Sequence, residues 1–70
     1  MANEDRGKLK TLLGYWVEHN EEHSQEFKEW ADKADAMGEK QVAGEIRQAV
    51  GHMEKVTEIL SGTMNRLGEG

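Results

Sequence analysis

The sequence predicts an all-α protein: an antiparallel two-helix hairpin that dimerises into a four-helix bundle. Three observations carry this. Apolar residues recur in a four, three, four, three spacing over two stretches of about 30 residues. A single glycine, Gly38, divides them, and the chain contains no proline to interrupt either one.

The first stretch is organised around Trp16–Trp30. Every seventh residue gives Leu9, Trp16, His23, Trp30 and Met37, and the intervening column gives Leu13, Asn20, Phe27 and Ala34. Such spacing makes a seam that packs helix on helix. Asn3 is the expected N-cap, with Glu4 and Asp5 in the first turn, where carboxylates complement the helix dipole. The expected helix spans about 4–37. Gly38 is its natural stop, because glycine adopts the left-handed conformation that a helix ending uses. The second stretch, about 40–67, repeats the rule with Val42, Ile46, Ala49, Met53, Val56, Leu60 and Leu67, while Thr63 and Met64 share the remaining place. Gly68 is expected to close it, leaving Glu69 and Gly70 as a frayed tail.

A connection this short forces antiparallel neighbours. Residues 1–70 make a single domain, and no third element is present to cover the apolar stripes. Each stripe is wider than one partner helix requires, and a two-helix core rarely offsets the entropy of ordering its chain. A homodimer with two-fold symmetry is the expected solution, with docking onto another protein's helices as the second choice.

Composition narrows the function. Fourteen acidic residues against nine basic give a net charge of -5, which opposes nucleic-acid binding, since phosphates call for a basic face. No apolar run approaches the roughly 18 residues of a membrane span, and the first residues lack the layout of a secretory signal, so no membrane insertion and a cytoplasmic location are expected. The absence of cysteine removes disulfides and thiolate metal sites. Ser24, Ser61, Thr11, Thr57 and Thr63 sit in no nucleophile motif, and no strand-to-helix glycine loop is present to cradle a phosphate, so a non-enzymatic protein is expected.

The polar centre of the first seam is where chemistry is expected. His19 and His23 stand at i and i+4, the spacing at which two imidazoles on one helix bind a single metal ion. Folding the chain about residue 38 brings His52 to nearly the same height, with Glu22, Glu26 and Glu45 as carboxylates on the same flank. The predicted site is therefore His19, His23 and His52 with Glu22 or Glu26, holding a divalent transition metal such as zinc, nickel or cobalt. The competing reading is a polar layer of Asn20 and His23 that fixes register and partner choice, as a buried asparagine does in coiled coils. The sequence leaves both open. The Glu-x-x-His pairs of di-iron bundles are absent, and Asn20 follows His19 where the zincin helix has glutamate.

Residues 12–31, with their Trp-Val-Glu-His-Asn-Glu-Glu-His core followed by Phe27 and Trp30, resemble a small family of uncharacterised microbial helical-hairpin proteins. The matching positions are Trp16, Glu18, His19, Asn20, Glu22, His23, Phe27 and Trp30, all in the first helix. The resemblance implies an anaerobic bacterial or archaeal origin and a link to transition-metal uptake, as a carrier or sensor.

Overall fold

The structure, a computed structural model, describes residues 2–69. Helix α1 runs Ala2–Ala36 and helix α2 Lys40–Glu69, and the two lie against each other as an all-α hairpin. The rod measures 54 × 14 × 13 Å. Its radius of gyration is 16.0 Å, against about 11 Å for a compact domain of this length.

Gly38 makes the turn as expected. Its φ of 87° lies in the left-handed region. The Glu39 N–H donates to the Ala34 carbonyl at 2.9 Å and the Gly38 N–H to the Asp35 carbonyl at 3.0 Å, the paired bonds of a Schellman ending. Two end assignments differ from expectation. Helix α1 begins at Ala2, which places Asn3 inside the first turn instead of capping it, and α2 continues through Gly68 to Glu69. Gly70 lies outside the described residues.

The seam between the helices is rotated by one column from the predicted one, in both helices. The column Leu13, Asn20, Phe27, Ala34 faces α2 as expected. Its companion is Val17, Ser24 and Ala31, however, and not the column of Trp16, His23 and Trp30. On α2, Ile46, Met53, Leu60 and Leu67 face α1, accompanied by Ala43, Val50, Thr57 and Met64. Leu9, Trp16, His23, Trp30, Met37, Val42 and Val56, all expected in the seam, are exposed. The physical reason is closeness of approach. Ala31 and Ala43 are completely buried and Ala34 nearly so, and small side chains let two helix backbones draw together where indole rings would hold them apart. Periodicity alone does not separate these columns, because both flank the shared one.

One side of the hairpin is closed by charge. Arg47 bridges Asp32 at 2.9 Å and Asp35 at 3.0 Å, Lys40 also pairs with Asp35, and Lys28 meets Glu54 at 3.0 Å. Hydrogen bonds from Lys40 and Arg47 hold the Asp35 carboxyl below its usual range, and the two aspartates hold the Arg47 guanidinium above its own.

Asn20 bonds across the seam. Its Nδ2 donates across the seam to the Met53 carbonyl at 2.8 Å and to Thr57 Oγ1 at 2.9 Å. The Met53 carbonyl already accepts within α2, so Asn20 uses its second lone pair.

Three outcomes follow from these features. Gly38→Ala forces a side chain into the left-handed region and lowers unfolding free energy by about 1–2 kcal/mol, measured by urea denaturation. Asn20→Asp keeps the shape but sets a carboxylate against a carbonyl, and costs about 1–3 kcal/mol in the same assay. The depressed Asp35 carboxyl contributes stability above the ordinary aspartate range and loses it as pH falls below about 4. Asp35→Asn therefore gives a shallower acid limb in a melting temperature–pH profile, by a small amount because the pair is at the surface.

Candidate functional site: an aromatic and histidine face

At 100° per residue, the ion pairs place Lys28, Asp35, Arg47 and Glu54 on one side of the hairpin, and the displaced apolar columns fall on the other. On α1 this face carries Leu9, Leu12, Trp16, His19, His23 and Trp30. On α2 it carries Val42, His52, Val56 and Ile59. Trp16 is 42% exposed and Trp30 55%. Phe27, Trp30, Ile46 and Glu26 line an open groove on this face. Lys33 Nζ lies over the Trp30 ring, 4.3 Å from its centre, in a cation–π contact.

Four rings climb α1 at steps of four residues. Tyr15 stacks on His19 with centroids 5.3 Å apart and an interplanar angle of 17°. His19 meets His23 edge-on at 4.6 Å, and His23 meets Phe27 edge-on at 6.4 Å. The i, i+4 spacing of Tyr15, His19, His23 and Phe27 is visible in the sequence, but Tyr15 falls outside the apolar columns and was missing from the expected site.

The ladder aims the two imidazoles at each other. His19 Nε2 and His23 Nε2 stand 3.1 Å apart. Two nitrogens bound to one zinc ion at 2.0–2.1 Å are about 2.9 Å apart at a right angle and about 3.4 Å apart at a tetrahedral angle, so the observed spacing falls within the chelating range. It equally suits one N–H···N hydrogen bond, which a metal would displace. Glu22 Oε1 lies 3.9 Å from His19 Nδ1, on the side of the ring away from His23. At that distance the carboxylate makes no hydrogen bond to the ring.

The remaining predicted ligands do not join this pair within one chain. Among the described residues no group of three or more His, Cys, Asp or Glu is placed to hold a metal ion. Glu26 instead borders the groove beside Phe27 and Trp30. His52 is on the same face but on the other helix, so the expected meeting of all three histidines does not form. His19 and His52 each point some 100° away from the midline of the seam, and side chains at that angle diverge from two axes about 8–10 Å apart.

The opposite side holds a polar groove lined by Glu21, Ser24, Gln25, Lys28, Glu54 and Thr57. Ser24 is buried there, and its hydroxyl has no hydrogen-bond partner among the described residues. No histidine lines this groove.

No helix among the described residues is long and apolar enough to cross a membrane. No solved structure matches the chain. It is similar to an uncharacterised protein of the archaeon Archaeoglobus fulgidus, 34% identical over 61 residues that cover 87% of this chain and 97% of the archaeal one. A family described as a domain of unknown function, DUF8180, matches residues 9–67, and thus both helices and the turn, well beyond the first-helix segment that carried the resemblance. The hairpin, with its turn and both its faces, is therefore a member of the DUF8180 family.

Proposed function

We propose that this is a cytoplasmic, non-enzymatic helical protein that self-associates through its aromatic face and binds a divalent transition metal through His19 and His23, as a metal carrier or sensor. The observation that carries the reading is the 3.1 Å separation of the two Nε2 atoms on an exposed face. Zinc, nickel and cobalt all accept imidazole nitrogen.

Self-association is supported by the exposed tryptophans and aliphatics on one side, opposite a side already satisfied by its own ion pairs.

A second reading rests on a different observation. Asn20 spends its donors on α2, as a register-setting residue would, and a module whose polar positions serve only register and assembly needs no ion.

The two readings part on metal linkage. Zinc, nickel or cobalt at a hundred times its dissociation constant stabilises the metal-binding protein by about 2.7 kcal/mol, seen as a rise in melting temperature, and His19→Ala with His23→Ala abolishes the rise. A wild-type chain indifferent to all three ions is the register module. Trp16→Glu with Trp30→Glu yields a monomer by sedimentation equilibrium, because self-association through the aromatic face places the indoles between copies.

A further inference from the structure

The His19–His23 pair brings two imidazole nitrogens together, fewer than a metal site needs. Zinc takes four ligands in closed sites and at least three from protein in open ones. One chain offers two imidazoles at chelating distance and, among the described residues, no third donor joins them. Resting on the metal reading above, we propose that a second copy of this chain supplies the missing ligands. A single divalent transition-metal ion is held on the two-fold axis by Nε2 of His19 and His23 from each copy.

Three features of the hairpin support that partner. The first is area. The chain exposes 5372 Å², whereas a compact monomer of 7.9 kDa would expose about 4,400 Å². The excess, about 1,000 Å², is close to the about 800 Å² that each partner contributes to a standard interface. The second is the character of the surface. The face that carries the pair also carries Trp16, Trp30, Val56 and Ile59, all exposed, while the reverse face is occupied by ion pairs within the chain. A second copy matches an apolar face with an apolar face, and a two-fold axis makes the same residues meet their own counterparts.

The third is height. Helix α1 runs Ala2–Ala36, so its midpoint is His19. Two rods that overlap along their full length bring equal midpoints together when the axis crosses the rod, and equal heights together when the axis runs along it. In either packing with α1 against its counterpart, the two histidine pairs arrive level. A pair placed near one end would meet its counterpart in only one of the two.

Assembly and metal uptake are then one equilibrium: each ion bound joins two chains, and each pairing completes a site. A chain purified free of metal and titrated with cobalt tests this without any variant. The expected result is one cobalt per two chains by native mass spectrometry, with the intense visible bands of a four-coordinate nitrogen site. The dimer dissociation constant, by sedimentation equilibrium, falls about tenfold or more when cobalt is added. One cobalt per chain, or uptake whose affinity is the same at low and high protein concentration, overturns the shared site and leaves the single-chain metal reading standing. No uptake of cobalt, nickel or zinc overturns both. His23→Ala, confirmed helical by circular dichroism, loses the cobalt-dependent tightening of the dimer, and retention of that tightening also overturns the shared site.

Discussion

Two packed helices can bury one stripe each, and every other feature of this hairpin follows from that limit. A helix pair covers the column that faces the partner and one neighbouring column, and the remaining surface stays in water. The chain uses its small residues for the covered stripe, with Ala31, Ala34 and Ala43 beside the turn and Leu13 and Val50 further along. Tyr15 and both tryptophans are left outside. Among the described residues no large side chain is fully buried, so the interior contributes little of the apolar burial that would stabilise an isolated domain of this size.

That limit also explains the division of labour between the two flanks. On one, Arg47 holds two aspartates at once and Lys28 reaches Glu54, contacts that tie α1 to α2 at the surface and draw little energy from water-exposed charge. What they supply is orientation: they fix which flank of each helix turns outward together. The opposite flank then becomes continuous across both helices. Histidines in that setting have apolar neighbours and each other, and the stacking of Tyr15 on His19 holds one ring where its nitrogen meets the next.

Much of this was legible in the residues. Two helices, their approximate limits, the turn at Gly38 and the surplus of apolar surface all follow from spacing and from a single glycine. The column of Leu13, Asn20, Phe27 and Ala34 was also readable, and Asn20 stands in it as a polar residue that bonds across the seam. Which of two flanking columns accompanies it was not. A rule that counts apolar residues prefers Trp16 and Trp30 to Ser24 and Ala31, whereas close helix packing prefers the small ones. The same preference places His23 in the interior, where the structure exposes it, and sets His52 beside a pair it does not reach. Periodicity marks every apolar column of a helix, without saying which one faces the other helix of the hairpin.

The Schellman turn at Gly38 has a geometric consequence for anything attached to this rod. Because the chain reverses once, the start of α1 and the end of α2 share a pole, where Arg6 donates to the Leu67 carbonyl and the Lys10 side chain lies against Gly68. The turn occupies the other pole, at the far end of a body 54 Å long. The molecule is thus polar in its connectivity although both its helices run the full length. A fusion at either helix end emerges on the same side, and the turn pole carries no covalent continuation. Labels placed at Arg6 and at Gly38 would sit roughly a rod-length apart.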